Sequence, residues 1–230
     1  MNDSSSLPRA KGCDASILID GSGTEKTAPP NLSVRGYDLI DQAKTQLERA
    51  CPGVVSCADI IAIATRDAVV LGGGTQYTYA VQTGRRDGNI SLASDASKNL
   101  PGASLFAGAH TVGITHCSFI RNRLYNYNGT GKPDPDMDPA FVAMLRKRCP
   151  QTSAVDNSVF LDNLLAKRGV LKVDQNLAMD AATNGTVKSL ASGSLSFPSL
   201  FGNAMVKMGS IQVLTGAQGQ IRKSCRAVNK

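Results

Sequence analysis

The chain of 230 residues has a mass of 24.1 kDa, and 42% of its residues are apolar while 19% are charged. This composition is typical of a globular protein with a sizeable core, and no apolar run is long enough to span a bilayer. The formal net charge of +7 comes from scattered Lys and Arg without interleaved aromatic residues, which argues against nucleic-acid binding. A polyanionic matrix or an acidic membrane surface suits the charge equally well.

Helical patterns come first along the chain. Residues 35–52 predict an amphipathic helix that starts after Gly36 and is stopped by Pro52. Residues 56–74 predict a buried central helix, because Ser56 is a good N-cap, the body is almost wholly apolar and the segment ends in three glycines.

The second half of the chain continues the same pattern. Asp138 is the predicted N-cap of a helix over 138–150, with Pro139 in its first turn and a basic run at its C-terminal end. Three further helices are predicted over residues 157–169, 185–192 and 197–209, each closed or followed by glycine. The pattern as a whole indicates an all-α protein.

His110 is one of two histidines and lies among small residues in AGAHTVGITHC. Cys117, Ile120 and Leu124 continue one helical face, so we expect His110 near the end of a helix that runs to Leu124. On this pattern alone, a hydrogen-bonded core histidine is favoured over a metal ligand.

Six cysteines without a CxxC pair indicate a disulfide framework and an oxidising compartment. Five Asn-x-Ser/Thr sequons agree with that location, and they begin at Asn2, Asn31, Asn89, Asn128 and Asn184. The opening sequence MNDSSSLPRAKG carries no apolar signal stretch, so the N-terminus does not match the compartment that the cysteines indicate.

Nine segments in one order, from Gly12 to Asn229, give a specific resemblance. They are GCDASILID, TEKTAPPNLSVRGYDLID, ACPGVVSCADIIAIATRDAVVLGGG, GRRDG, NLPG, AGAHTVGITHC, DPAFVAMLRKRCP, LLAKRGVLKVDQ and AMVKMGSIQVLTGAQGQIRKSCRAVN. With them the chain resembles the secretory class III plant haem peroxidases.

The resemblance implies a single all-α haem-peroxidase domain of two lobes over 1–230, with residues 1–11 as an atypical leader. It implies haem b, two calcium ions, and the oxidation of phenolic or similar donors by hydrogen peroxide. It further implies a monomer in the extracellular space, cell wall or vacuole, where an anionic wall polymer is a possible partner.

The resemblance also assigns roles to single residues. His110 matches the axial haem ligand, and Asp180 is the best match for the acidic partner of its other ring nitrogen, with a helix N-cap as the alternative role. The remaining matches are calcium ligands at Gly12, Asp14, Ser16, Thr111 and Asp156, a supporting asparagine at Asn31, donor access at Pro101, and the disulfides Cys57–Cys225 and Cys117–Cys149.

The chain also departs from the family pattern. The family carries RLHFHDCFV before GCDAS, and its arginine and second histidine cleave the peroxide bond. Here Ser6 stands at the histidine position, and the family partners of Cys13 and Cys51 are missing, which leaves a direct Cys13–Cys51 bond as an open possibility.

Two internal stretches of the family pattern, before LFAGAHT and before VDNSVF, are missing as well. Two hypotheses follow. The chain is a haem peroxidase, with little activity as written because the distal histidine and arginine are absent, or it is a noncatalytic peroxidase-like protein that binds haem or a wall polymer.

Overall fold

The structure is a computed structural model that describes residues 12–32, 34–99, 110, 114–149, 154–156 and 164–230. The chain divides into two compact units. Unit 1 comprises Met1–Leu100 with Phe201–Lys230, and unit 2 comprises Pro101–Leu200.

Helices dominate the described part of the chain, as the sequence predicts. The α-helices are α1 Tyr37–Ala50, α2 Cys57–Gly73, α3 Ala93–Asn99, α4 Cys117–Tyr125, α5 Pro139–Arg148, α6 Lys172–Met179, α7 Asn184–Ala191 and α8 Phe197–Met208. The strands β1 Ile114–His116 and β2 Ala154–Asp156 pair antiparallel, with Thr115 opposite Val155. The all-α fold class is confirmed.

Helix α1 forms as predicted. It begins after Gly36, whose φ of 87° lies in the left-handed region that glycine adopts freely, and the N–H of Cys51 closes it on the carbonyl of Leu47. Lys44 is buried on this helix, where its Nζ donates to the Val55 carbonyl at 2.6 Å and pairs with Glu48, one turn later, at 2.6 Å. These contacts fix α1 against the loop that leads to α2.

Helix α2 forms as predicted at its start but is less buried than expected. The Ser56 hydroxyl accepts a hydrogen bond from the Asp59 N–H at 3.0 Å, so the N-cap is confirmed. Only the first turn is buried, and Leu71 is 88% exposed. The prediction of a buried central helix was wrong beyond the first turn, because residues such as Ile61 and Thr65 line a cavity and are only partly buried.

The core of unit 1 forms around the start of α2. The cluster consists of Ala15, Leu18, Cys57, Ala58 and Cys225. The disulfide between Cys57 and Cys225, predicted from the family resemblance, is formed with 5.7 Å between the two Cα atoms. It joins residues 168 positions apart, so it closes unit 1 on the C-terminal segment.

The core of unit 2 lies between α4 and α5. Ile120, Leu124 and Leu145 are fully buried there, and the predicted Cys117–Cys149 disulfide joins the start of α4 to the end of α5. Helix α5 begins as predicted, because the Asp138 carboxylate accepts a hydrogen bond from the Phe141 N–H at 2.8 Å.

Several elements differ from expectation. The helix expected from His110 to Leu124 begins only at Cys117, because residues 114–116 extend and pair with β2. The sequence patterns did not indicate α3 or α6, which are only 7 and 8 residues long. Most of the helix predicted over 157–169 lies outside the described residues.

Removing the Cys57–Cys225 disulfide by a double exchange to Ser should destabilise the protein more than removing Cys117–Cys149. The residues that the two disulfides join are 168 and 32 positions apart. The loss of loop entropy in the unfolded chain should then stabilise the fold by about 5 and about 4 kcal/mol, respectively. Thermal unfolding in parallel measures both, with Cys51→Ser as the control because Cys51 forms no disulfide. An equal or larger loss on removal of Cys117–Cys149 would contradict this ranking.

The exchange Glu48→Gln should lower stability near neutral pH and lose its effect in acid. The hydrogen bond from Lys44 holds the pKa of Glu48 below its ordinary value, so the stabilisation is present above that ordinary value and disappears as the pH falls through the folded pKa. We expect a loss of about 1 kcal/mol at pH 7. Urea unfolding at pH 7 and pH 3, in a double-mutant cycle with Lys44→Gln, measures the interaction free energy of Lys44 and Glu48. A loss of equal size at both pH values would contradict the proposed role of the charged Glu48 carboxylate.

Candidate functional site

A histidine–carboxylate pair lies in unit 2. The Nδ1 atom of His110 is 2.9 Å from Oδ1 of Asp174, and the Asp174 side chain is 2% exposed whereas that of His110 is 32% exposed. Asp174 sits in the first turn of α6, so a helix fixes the carboxylate. The pair therefore has a rigid, buried acceptor and a ring that is partly accessible.

Burial and a neighbouring cation oppose each other at Asp174. Burial raises the pKa of this carboxyl, while the hydrogen bond from His110 and the charge of Arg123 act in the opposite direction. Arg123 is itself buried, and its Nε donates to Asp134 at 2.8 Å. Its Nη1 donates to the carbonyls of Gly169 and Val170, both at 2.7 Å, which fixes the segment that leads into α6.

The second ring nitrogen of His110 is left for another ligand. Among the residues that the structure describes, no side chain or backbone group bonds to its Nε2. A histidine that donates from one nitrogen to a carboxylate is held in one tautomer, and its other nitrogen is then a fixed electron-pair donor. The residues present therefore fit a metal centre that takes one axial imidazole, such as haem iron.

The expected partner Asp180 is not at this site. It follows α6, where its Oδ1 accepts a hydrogen bond from the Ala182 N–H at 2.8 Å and its carbonyl accepts from Thr183 and Asn184. The assignment of Asp180 as the partner of His110 was wrong. Its alternative role as a helix N-cap is not observed either, because the N-cap of α7 is Thr183 and the Asp180 carboxylate instead closes the turn that follows α6. The signal for Asp174 was in the sequence, since it lies in the matching segment LLAKRGVLKVDQ, whereas Asp180 lies in a loop outside the matching segments.

A cluster of oxygen atoms forms separately in unit 1. The Asp14 carboxylate accepts a hydrogen bond from the Ser16 N–H at 3.1 Å, and the Ser16 hydroxyl donates to Glu25 Oε2 at 2.9 Å. Arg222 donates to the Ala15 carbonyl at 2.6 Å, which holds the loop from behind. The predicted residues Asp14 and Ser16 are thus brought together with Glu25, which was not among the predicted calcium ligands.

Burial also governs the charge of this cluster. The pKa values of Asp14 and Glu25 are both raised, chiefly by desolvation, and the charges of Asp14 and Asp95 raise that of Glu25 further. Within the described ranges, no three His, Cys, Asp or Glu side chains are arranged to hold a metal ion by themselves. The donors present are instead two carboxylates, a hydroxyl and backbone carbonyls, the hard oxygen set that calcium prefers.

Asn31 connects this cluster to a cavity. Its Nδ2 donates to the Glu25 carbonyl at 2.9 Å, and the residue is buried. Both residues, together with Asp14 and Ser16, line a cavity of about 600 Å³ in unit 1, whose apolar part comes from small and aliphatic side chains such as Ala58. A small polar ligand would meet carboxylate and amide groups on one part of this wall.

Other predicted residues cannot be placed. Ser6, Pro101 and Thr111 lie outside the described residues, and of Asp156 only the backbone, in β2, is described. Gly12 is described, and its carbonyl accepts a hydrogen bond from the Asp14 N–H at 2.9 Å. Cys13 and Cys51 are both unbonded, so a Cys13–Cys51 disulfide is not formed.

Comparisons with known proteins agree with this fold. The family model described as peroxidase matches residues 3–106 and 103–193. The chain is 47% identical to Peroxidase 57 of Arabidopsis thaliana, with 95% of the chain and 78% of the relative covered. It is 45% identical to Peroxidase N1 of Nicotiana tabacum, with 95% and 77% covered.

A mostly helical fold with this family match defines a haem peroxidase, an oxidoreductase that uses hydrogen peroxide. The chain belongs to the class III plant peroxidases. The comparisons favour the enzyme over a noncatalytic binding protein, because the relatives are peroxidases by name. No helix in the described part of the chain has the length and apolar character needed to cross a membrane.

Proposed function

We propose that His110 is the axial ligand of the haem iron and that Asp174 orients it, in a peroxidase that oxidises phenolic or similar small donors. The observation that carries this proposal is the 2.9 Å contact between His110 Nδ1 and the buried Asp174 carboxylate. Haem, when bound, supplies the redox chemistry. The chain supplies the axial nitrogen and the charge behind it.

The role of Asp174 follows from its contacts. Its carboxylate accepts the Nδ1–H of His110, which leaves Nε2 unprotonated and raises the electron density of the ring. A stronger axial donor favours high oxidation states of iron. Burial raises the pKa of Asp174 on balance, while the hydrogen bond from His110 and, to a smaller extent, the charge of Arg123 favour the ionised carboxylate.

Asn31 supports the side where peroxide reacts. The Nδ2 of Asn31 already donates to the Glu25 carbonyl. Its Oδ1 is therefore the atom that can accept a hydrogen bond from a donor at the cavity wall. In the family pattern that donor is the histidine whose position Ser6 occupies here. Low turnover of the chain as written therefore stays a prediction.

We assign calcium to the oxygen cluster of unit 1. Gly12, Asp14 and Ser16 provide carbonyl, carboxylate and hydroxyl oxygens. The carboxylate of Glu25 lies beside them, because it accepts a hydrogen bond from the Ser16 hydroxyl. The buried carboxyl of Asp14 and the half-buried carboxyl of Glu25 both have raised pKa values, which supports this assignment because a cation would offset their desolvation. Thr111 and Asp156 belong to the second calcium site by the family resemblance.

The remaining assignments concern the location of the protein, the entry of its phenolic donors and its polymer partner. Two disulfides support an oxidising compartment, so we propose an extracellular, cell-wall or vacuolar location. Pro101 is assigned to the edge where phenolic donors enter. The net charge of +7 supports association of a monomer with an anionic wall polymer.

Haem titration of the full chain tests the axial pair. His110→Ala should abolish the Soret band, and Asp174→Asn should weaken haem affinity about 10- to 100-fold, because the ring loses its charged acceptor. Asp180→Asn is the matched control at the other end of α6 and should bind haem like the unmodified chain. A weaker affinity in Asp180→Asn, with Asp174→Asn unchanged, would overturn the assignment.

The same samples test turnover. With hydrogen peroxide and a phenolic donor, the chain should react slowly, since distal acid–base catalysis typically contributes about 10²- to 10⁴-fold. Visible spectroscopy follows the haem and donor oxidation together. Rapid donor oxidation that depends on His110 would show that another group does the work of the missing pair.

Calcium binding has an independent readout in thermal stability. Calcium at about 100 times its Kd should stabilise the unmodified chain by about 2.7 kcal/mol. Asp14→Asn should lose this response, because it removes a ligand charge, while Asp20→Asn should keep it, since Asp20 is a more exposed carboxylate of the same loop. Equal responses in both variants would argue against the assigned site.

A further inference from the structure

The sequons of this chain are not equivalent in the fold. An N-linked oligosaccharide is attached to the side-chain nitrogen of Asn in Asn-x-Ser/Thr, and it must then project into solvent from the folded protein. Four of the five sequons have their asparagine among the described residues. Their exposure and hydrogen bonds therefore rank them as acceptors.

In two of the four asparagines, the side-chain nitrogen that would carry the glycan already donates a hydrogen bond within the fold. Asn31 is 9% exposed, and its Nδ2 donates to the Glu25 carbonyl. Asn184 is half-buried, and its Nδ2 donates to the Ala178 carbonyl. An oligosaccharide on either nitrogen would have to displace these contacts, and at Asn31 it would also have to fill the cavity that this residue lines.

The sequon at Asn89 is partly built into the structure. Asn89 is exposed, but its Oδ1 accepts a hydrogen bond from Gln220 at 2.6 Å. The hydroxyl of Ser91, the third sequon residue, accepts a hydrogen bond from the Glu25 N–H at 3.0 Å. Both ends of this sequon are therefore tied to other segments of unit 1.

Asn128 differs from the other three because its side chain is both exposed and unbonded, although the hydroxyl of Thr130 donates to the Tyr127 carbonyl at 2.6 Å and accepts from the Lys132 N–H at 3.3 Å within the same turn. Asn128 is exposed in the turn between α4 and α5, and its side chain makes no hydrogen bond within the described residues. Its φ of 51° and the φ of 79° at Gly129 mark a tight left-handed turn, a conformation that Asn adopts more readily than most residues. Thr130, the third sequon residue, is exposed too.

We propose that Asn128 is the glycan-bearing residue of the described chain and that Asn31 stays unmodified. The Nδ2 of Asn128 forms a bond to the anomeric carbon of a lipid-diphosphate-linked oligosaccharide. The bond from that carbon to the diphosphate oxygen breaks, the lipid diphosphate leaves, and one amide proton passes to a base of the transferring enzyme. The inference rests on the extracellular location given under the proposed function.

The full chain, fused to a cleavable secretion signal and produced in a glycosylating eukaryotic host, tests this assignment. The added signal forces entry into the secretory pathway, so a negative result cannot come from an error in the proposed location. Peptide mass spectrometry after enzymatic deglycosylation in heavy-oxygen water then reports each site. We expect label at Asn128 and none at Asn31.

Matched variants separate attachment from folding. Asn128→Asp keeps a residue that tolerates the left-handed turn but removes the acceptor nitrogen, and Thr130→Ala removes the sequon hydroxyl. Both should lose the glycan mass at this site, while Thr130→Ser should keep it and Asn31→Gln should not change it. An unlabelled Asn128 in the secreted chain, or a labelled Asn31, would overturn the proposal, and haem binding measured on the same material tests the proposed function separately.

Discussion

The hydrogen bond between His110 and Asp174 is the constraint on which the proposed haem ligand in unit 2 depends. A carboxylate with 2% exposure is costly unless a donor satisfies it, and here the His110 imidazole is the hydrogen-bond partner while Arg123 contributes only the effect of its charge. Arg123 in turn holds Asp134 and two carbonyls before α6, so the position of the histidine partner depends on a buried network between α4 and α6. Removing one member would leave the others unsatisfied.

Local signals predicted the ends of the long helices well. Ser56 and Asp138 act as N-caps because each side chain accepts a hydrogen bond from the free N–H three residues later, a local contact that the sequence pattern predicts. The burial of α2 could not be predicted in this way. An apolar body indicates which residues can be buried, but the cavity beside Ile61 depends on what packs there, which is tertiary information.

The candidate site residues likewise include some that the sequence predicted and some that only the structure shows. His110, Asp14 and Ser16 were found through the family resemblance, and the structure brings Asp14 and Ser16 into one cluster. Asp174 was missed although it lies in the matching segment LLAKRGVLKVDQ, and Glu25 was missed because it contributes through a hydroxyl 9 positions earlier. Contacts of this kind leave no fixed spacing in a sequence.

The disulfide between Cys57 and Cys225 also sets an order of events during synthesis. The first cysteine leaves the ribosome 168 residues before the second, so its thiol has no native partner while the whole of unit 2 is being made. Cys117 and Cys149 are only 32 residues apart and both lie in unit 2, which can therefore close its own bond first. During that interval Cys51 and Cys13, unbonded in the finished fold, are the competing thiols nearest in sequence, and unit 1 can be sealed only when the last few residues of the chain arrive.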